Sequence, residues 1–354
     1  MKDIGSIYPI DSLEPPKDGG RPLPFDNEPN VRYFSLCREA LSAIARSLDR
    51  PQGKVLIPAY TCQTVITPFQ ELGWECRYYG ITEDLRIDVE SFKSLFAGFH
   101  PDVVVVHPYY GRDLNENELA ALHAVKEESC VFVEDLTQCL FSKQRDDVFD
   151  YFVGSMRKWF PIPDGGFVFS LQHALEVPDA LDENVDYVTT MLDAMFLRGV
   201  YCSSGDVRIK DVSRRLDKTA GAKISTSIRP HAISSYSRFS LSNIDSEAVQ
   251  RKRMGNFTCL FDNLKSGEIQ SVCKDLSEVT TAPLYFPVLA KNRADLIQRL
   301  IAQQIYAPVL WPVKTESAVI NSVVGSIYDH ILAIPCDQRY GEDGMRRICG
   351  VVNG

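Results

Sequence analysis

From residue 36 onward, the hydrophobic positions alternate between the spacing of helices and the short apolar runs of buried strands. The first helical repeat ends before the stop signals Pro51 and Gly53, and its apolar positions are Leu36, Ala40, Leu41, Ile44 and Leu48. The pattern then predicts strands over 54–57, 75–79, 102–107 and 130–134, separated by helices over 61–72, 88–96 and 115–126. This alternation predicts an α/β fold with a mostly parallel sheet wrapped by helices.

The alternation stops in the second half of the chain. Apolar runs over 151–154 and 166–169 predict two further strands of the same sheet. Residues 174–200 are predicted to be helical, 203–232 to form a charged loop, and 242–265 to form a long helix. After residue 278 the pattern predicts strands over 281–288, 305–310 and 331–334 and helices over 292–303 and 342–351. These last elements predict a small α+β domain.

The first 30 residues have a different composition from the rest of the chain. They contain six prolines together with Gly19 and Gly20, which predicts an extended arm. We therefore expect an arm over 1–30, a large α/β domain over 31–255 and a small α+β domain over 256–354.

Composition and charge narrow the class of partner. The 354 residues are 45% hydrophobic and carry a formal net charge of -9, which argues against a general nucleic-acid or anionic-membrane binder. The longest apolar runs, such as 103–106, fall far short of the roughly 18 residues that span a bilayer. The N-terminus shows no secretory signal, so we expect a cytoplasmic protein whose anionic partners are small molecules.

The cysteines and histidines give no sign of a metal site. Ten cysteines include no C-x-x-C pair, and six histidines show no H-E-x-x-H motif or zinc spacing. We expect the cysteines to be buried, reduced thiols and predict that no metal is bound.

Polar residues follow three of the predicted strands, where an open parallel sheet binds its ligands. Asp135 follows one strand, and Lys158 stands 23 residues later after another. Pyridoxal phosphate chemistry needs such a pair: the lysine forms an imine with the cofactor aldehyde, and a buried carboxylate keeps the pyridine nitrogen protonated. Taken singly, Asp135 could cap a helix and Lys158 could be a solvated surface cation.

The segments at these strand ends resemble the DegT/DnrJ/EryC1/StrS family of sugar aminotransferases, which have the pyridoxal-phosphate fold type I. The resemblance covers roughly 31–354 and is carried by 55–61, 133–138, 155–158 and Asp164-Gly165-Gly166. It implies that Lys158 is the Schiff-base lysine and Asp135 the partner of the pyridine nitrogen. It also implies that Gln138 binds the phenolic oxygen of pyridoxal 5'-phosphate and that Ser155 touches the phosphate.

The chain departs from the family pattern around this cofactor. Cys37 and Arg38 stand where the family has Gly-Thr at the phosphate-binding helix start, although a helix N-terminus and an arginine still favour an anion. Cys62 replaces the aromatic residue that usually stacks on the ring, and Tyr60 is the nearest substitute.

The resemblance also implies an assembly. The family's Asn-x-Arg segment, which reaches the cofactor of the neighbouring subunit, is Tyr236-Ser237-Arg238 here, with the arginine retained. We therefore expect a homodimer in which Arg238 serves the partner's site and the proline-rich arm lies across a neighbour.

The stretch 203–232 carries seven basic residues against three acidic ones within an acidic chain. It is either a solvated loop or an electropositive lid over an anionic substrate such as a nucleotide diphosphate. In the second case Arg214 and Arg215 would bind the substrate.

The resemblance implies an aminotransferase that moves an amino group from an amino acid to a nucleotide-linked keto-sugar in polysaccharide biosynthesis. Lys158, once displaced by the donor, would be the general base. Elimination or decarboxylation on the same cofactor, and a relative that binds a ligand without turnover, stay open as alternatives. Ser155 and Lys158 also fit the S-x-x-K motif of serine enzymes, but Pro161 and Pro163 would stop the helix that this motif opens, and no Ser-Asp-Asn motif occurs.

Overall fold

A computed structural model describes residues 3–10, 20–172, 174–177, 180–225, 228–311 and 322–354. In chain order the described strands are β1 (Ile4–Gly5), β2 (Arg32–Phe34), β3 (Lys54–Pro58), β4 (Glu75–Tyr79), β5 (Val103–Val106), β6 (Val131–Asp135), β7 (Tyr151–Ser155), β8 (Gly166–Phe169), β9 (Ile269–Ser271), β10 (Phe286–Ala290), β11 (Ile305–Tyr306) and β12 (Ile331–Ile334). The described α-helices are α1 (Cys37–Ser47), α2 (Gln63–Glu71), α3 (Val89–Phe99), α4 (Glu116–His123), α5 (Val185–Ser204), α6 (Val207–Lys223), α7 (Ser235–Leu241), α8 (Ser246–Asn263), α9 (Arg293–Ala302), α10 (Ser322–His330) and α11 (Glu342–Asn353). None of these helices is both long enough and apolar enough to cross a membrane.

Seven strands form the central sheet, in the order β2-β8-β7-β6-β5-β3-β4. The pairs from β7 to β4 are parallel, and β8 and β2 are added antiparallel at one edge. All four residues of β5 are buried valines, as expected for a parallel strand covered on both faces. The predicted, mostly parallel sheet is confirmed, and the carboxyl ends of β3, β5, β6 and β7 meet at one edge.

Alternate residues of the central strands enter two separate hydrophobic layers. Leu56 and Val104 pack with Phe92 and Phe132 on one face of the sheet. Val55 and Val103 pack with α1 and α2 on the other face, where Ile44, Val65 and Phe69 are buried. Side chains of a strand alternate between faces, so these two layers are what the apolar runs in the sequence encode.

The charged stretch over 203–232 is not the predicted loop. Its residues 207–223 form helix α6, which is capped by Asp206, whose side chain accepts a hydrogen bond from the Arg208 N–H. One narrow stripe of α6 packs against α5, through Ala220 and the half-buried Leu216. The charged residues occupy the remaining faces. The helix was not predicted because it needs few apolar positions and its composition resembles that of a loop. The helix predicted over 174–200 begins only at Val185.

The C-terminal part contains a three-stranded antiparallel sheet, in the order β12-β10-β9, with α8, α9 and α11 around one core. The sequence pattern missed β9, α7 and α10, and it made β10 and β11 too long. Helix α8 runs without a break through the boundary proposed at 255–256.

The described parts of the N-terminal segment pack on the same chain. Strand β1 pairs in parallel with β11, and Ile10, Leu23 and Phe25 are buried. Asp3 makes ion pairs with Arg198 (2.9 Å) and Lys210 (2.8 Å). This segment therefore joins β11 of the C-terminal part to the α5–α6 pair. Residues 11–19, with two of the prolines, lie outside the described residues.

Candidate functional site

A cleft lies at the carboxyl edge of the central sheet. Six residues singled out in the sequence share it, namely Cys37, Arg38, Asp135, Gln138, Ser155 and Lys158. Strands β6 and β7 are parallel neighbours, with Asp135 paired in register to Val153, so residues that follow the two strands emerge side by side. The start of α1 closes the cleft from the side. The topology therefore explains why Arg38 and Lys158, which are 120 positions apart in the sequence, line the same cleft.

Lys158 ends a single 3-10 turn that follows β7. Its side chain is half-buried, and its amine makes no hydrogen bond or ion pair with any residue in the described part of the chain. The next residue, Trp159, is fully buried and donates its indole N–H to the Thr137 carbonyl (2.9 Å). The backbone at Lys158 is thus fixed while its amine is left available.

Asp135 is held at the end of β6 by two neighbours. Its Oδ1 accepts a hydrogen bond from the Thr137 N–H (2.9 Å), and its Oδ2 lies 3.5 Å from His107 Nδ1. The other ring nitrogen of His107 lies 2.7 Å from Thr61 Oγ1. Burial lowers the pKa of His107, although the Asp135 charge acts against this effect. A neutral, anchored imidazole therefore positions the Asp135 carboxylate.

Sequence reasoning missed His107, although a signal for it existed. It directly follows β5, between β3 and β6, and so stands at the same sheet edge as Asp135.

Gln138 brings an unused donor to the cleft. Its Oε1 accepts a hydrogen bond from the Tyr110 N–H (3.1 Å), which fixes the amide. Its Nε2 is buried and has no partner within the described part of the chain. A buried donor without a partner is costly, so this atom indicates a ligand that accepts a hydrogen bond there.

The start of α1 forms the end of the cleft best suited to an anion. Leu36, the N-cap, offers no side-chain cap, so the first N–H groups of the helix are not used by a capping side chain. Arg38 donates to the carbonyls of Ile224 (2.7 Å) and Ser225 (3.0 Å), which ties α1 to the end of α6. Burial, and then the nearby charge of Arg157, lower the pKa of Arg38.

Arg157 is a second cation in this cleft that sequence reasoning missed. Its guanidinium forms no ion pair within the described residues, and it lines the cleft beside Lys158. Two neighbouring guanidinium groups and a helix N-terminus together favour an anionic group such as a phosphate.

The Asp164-Gly165-Gly166 motif builds this end of the cleft without lining it. Asp164 is fully buried and accepts hydrogen bonds from the Ser234 N–H (2.9 Å) and hydroxyl (2.6 Å), which fixes the start of α7. A Cβ at Gly166 would lie 2.4 Å from the Cys37 nitrogen. Glycine at this position is what allows α1 to approach β8 so closely.

A second chamber of about 420 Å³ opens on the other side of Lys158. It shares Arg157 and Lys158 with the cleft, and its other walls come from the N-terminal segment, α5, α6 and the C-terminal part. Asp217 of α6 faces this chamber; burial raises the pKa of its carboxyl, and the Arg157 charge opposes that rise. Arg339 also faces it but is paired with Asp337 (2.7 Å).

Four other residues named from the sequence lie outside the cleft. Tyr60 was expected to contact the cofactor ring, but its side chain is fully buried behind the cleft, with its hydroxyl 3.3 Å from that of Tyr110. Arg238, on α7, lines a separate groove with Asp26 and Tyr33. Arg214 and Arg215 are exposed on α6 and line neither cavity.

Among the described residues, one group of side chains has the spacing of a metal site: His123, Asp146 and Asp147. His123 Nε2 lies 2.7 Å from Asp146 Oδ1, so the group is accounted for as a surface hydrogen bond. None of the three lines the cleft or the chamber.

No protein-family model matches the sequence, and no curated protein matches it either. Solved structures do match in fold. The sugar aminotransferase CalS13 from Micromonospora echinospora superposes with a TM-score of 0.63 at 14% identity, covering 92% of this chain and 87% of that one. A DegT DnrJ EryC1 StrS aminotransferase from Brucella abortus gives 0.61 at 14% identity, with 92% and 85% covered.

NtdA from Bacillus subtilis, solved with bound cofactor PMP, gives a TM-score of 0.61 at 12% identity, with 92% and 73% covered. At this level of identity the similarity shows a shared fold. The predicted fold, with a large α/β part and a smaller α+β part, is confirmed.

Proposed function

We propose that this protein is a pyridoxal-phosphate-dependent aminotransferase that exchanges an amino group between an amino acid and a keto-sugar, with the sugar linked to a nucleotide. The observation that carries the proposal is the convergence, in one cleft, of an anchored carboxylate with a lysine amine and an amide donor that have no partner among the described residues. The shared fold with sugar aminotransferases supports it.

The residues of the cleft fit the cofactor group by group. Gln138 Nε2, buried and without a described partner, suits the phenolic oxygen, and Asp135 suits the ring nitrogen. The start of α1, with Arg38, Arg157 and Ser155, suits the phosphate. The Lys158 amine is the group through which the cofactor aldehyde would be attached.

When bound, the cofactor would supply an electron sink for the carbon that loses its proton. The chain's own residues then have separate tasks. Asp135, held by the Thr137 N–H and faced by His107, would place a carboxylate opposite the ring nitrogen and so favour its protonated form. Lys158 faces both the cleft and the chamber. Its amine, once released, could therefore accept a proton from one carbon and donate it to another. Residues 5–8 of the N-terminal segment form part of the chamber wall.

The chamber beyond Lys158 suits a sugar. Its volume of about 420 Å³ lies within the range of small-molecule sites, and Asp217 offers a carboxylate to hydroxyl donors. Arg157, which forms no ion pair within the described residues, is the guanidinium of this chamber that is available to an anionic substituent. The exposed Arg214 and Arg215 would contact only a part of the substrate that extends beyond the chamber, such as a nucleotide diphosphate.

We also propose that two copies of the chain assemble into a dimer. Arg238 opens onto a groove of about 340 Å³ that is separate from the cleft of its own chain. This placement supports the expectation that Arg238 serves the partner's site. Sedimentation would test it: a fully active monomer would refute a shared site.

The enzyme proposal is tested by the donor half-reaction. Purified protein loaded with pyridoxal phosphate is mixed with L-glutamate, and the change in visible absorbance and the release of 2-oxoglutarate are measured together. We expect both, and we expect neither in Lys158→Ala. Release of carbon dioxide or ammonia without the keto acid would instead favour decarboxylation or elimination, and no visible absorbance at all would favour the non-catalytic alternative.

A further inference from the structure

Few side chains of the cleft can offer a flat surface to a ring. Among the described lining residues, only His107 and Trp311 are aromatic. Cys62, which stands where the family resemblance places an aromatic residue, is the N-cap of α2 and presents a thiol instead. His107 uses both ring nitrogens in its contacts with Asp135 and Thr61, and its ring centroid lies 6.0 Å from that of Trp311. The indole of Trp311 is the larger of these two aromatic surfaces.

Trp311 reaches the cleft from the C-terminal part of the chain, after β11. Its ring centroid lies 4.6 Å from that of Tyr60 and 6.2 Å from that of Tyr109. Tyr60 is in turn packed against Tyr328 of α10 at 5.1 Å. These buried tyrosines form a rigid support behind the indole, so Trp311 is held by ring packing.

The backbone at Trp311 has a φ of 56°, in the left-handed region. A bulky side chain rarely adopts this conformation, which costs about 1–2 kcal/mol per residue. Strained positions of this kind concentrate where a side chain must be aimed at a ligand. Here the left-handed backbone and the tyrosine support together place the indole at the wall of the cleft, which also contains Lys158 and Asp135.

We propose that Trp311 provides the aromatic surface against which the cofactor ring packs. It would thus take the role of the aromatic residue that the family has at the position of Cys62. The proposal rests on the proposed function, because it assumes that the cleft takes a pyridine ring. It makes cofactor affinity depend on a residue of the C-terminal part, and it gives Trp311 the role that the sequence analysis assigned to Tyr60.

The test uses pyridoxamine 5'-phosphate, which carries the same ring and phosphate but no aldehyde, so its affinity does not depend on attachment to Lys158. Its dissociation constant is measured by calorimetry for the wild type, Trp311→Phe and Trp311→Leu. Both variants fill the position, but only phenylalanine offers a ring. Trp74→Phe, in the core beside Phe69, is the control for losing a tryptophan.

We expect Trp311→Leu to raise the dissociation constant about tenfold, which corresponds to 1.4 kcal/mol. Trp311→Phe should stay within about threefold of the wild type, and Trp74→Phe should equal it. Inorganic phosphate, which has no ring, should compete equally well in all four proteins. Equal affinities for the leucine and phenylalanine variants, or a wild-type affinity in both, would overturn the proposal. A wild type that binds neither pyridoxamine phosphate nor pyridoxal phosphate would instead refute the proposed function itself.

Discussion

Replacing Gly166 with alanine tests how the phosphate end of the cleft is built. The new Cβ would lie 2.4 Å from the Cys37 nitrogen and 2.4 Å from the Leu36 carbonyl carbon. Carbon contacts are favourable near 3.5 Å, so one of the two backbones must move by about 1 Å. Gly166 is paired with Phe34 on one side and Ser155 on the other, which holds β8 in place. The start of α1 must therefore move.

The cost has two parts. Overpacking of a close contact destabilises a protein by about 1–3 kcal/mol. Moving Cys37 and Arg38 by about 1 Å also weakens charge-assisted hydrogen bonds to a phosphate, each worth about 1.5–3 kcal/mol. Losing one such bond raises the dissociation constant of pyridoxamine 5'-phosphate at least tenfold. We therefore expect a lower melting temperature and an affinity at least tenfold weaker, measured well below the melting transition.

Gly98→Ala is the matched control. Gly98 lies in helix α3, has no atom within 4 Å of a new Cβ, and does not have a positive φ. Alanine in a helix is favoured over glycine by about 0.5–1 kcal/mol, so this variant should melt slightly higher and bind with wild-type affinity. If Gly166→Ala bound and melted like the wild type, the close approach of α1 would not define the phosphate site, and our reasoning would be wrong.

Four further predictions follow from the same contacts. Asp135→Asn should fold normally but lose turnover by orders of magnitude, because a neutral amide cannot hold the proton of a pyridinium; comparable steady-state rates would reject that role. Asp217→Asn should raise KM for the sugar substrate and leave the glutamate half-reaction unchanged, whereas equal effects on both would remove Asp217 from the sugar site. Neutralising Arg214 and Arg215 together should raise KM for a nucleotide-linked ketone at low salt, with a smaller effect at high salt, and no change would leave α6 as a solvated helix. Burial raises the pKa of Asp3, but hydrogen bonds from Lys210 and Tyr201 and the charge of Arg198 bring the pKa below its usual value. The ionised carboxylate therefore stabilises the folded protein above about pH 4, and this contribution is lost as the pH falls further. Asp3→Asn leaves the buried Arg198 without its carboxylate, which should cost about 3 kcal/mol at neutral pH. The gap in melting temperature between variant and wild type should narrow in acid, and a gap independent of pH would contradict this.

The predictable part of the fold is the part whose hydrophobic spacing is unambiguous. The strands and helices between 54 and 135 follow from apolar runs and helical repeats, because both faces of the sheet are buried there. Helix α6 did not follow, because its contact with α5 uses one narrow stripe and its other faces are charged. Short elements such as β9 and α7 are stabilised by tertiary contacts that leave little periodicity in the sequence.

The candidate site divides in a similar way. Asp135 and Lys158 could be named because the first ends one strand and the second lies three residues after the next, and the strand order brings them together. Arg157 was hidden because an arginine beside a lysine is usually a surface pair. Trp311 could not be placed from sequence, since its position in the cleft depends on how the C-terminal part packs on Tyr60. The same packing buries Tyr60, whose orientation the sequence does not determine.

The central claim is that Lys158 is the residue to which the cofactor attaches. The direct measurement is to add pyridoxal phosphate to the purified protein, reduce it with borohydride, digest it and identify the modified peptide by mass spectrometry. We predict a single modified site at Lys158 and a visible absorbance that reduction removes. A modification at any other lysine, or a protein that stays colourless after pyridoxal phosphate is added, would contradict the account.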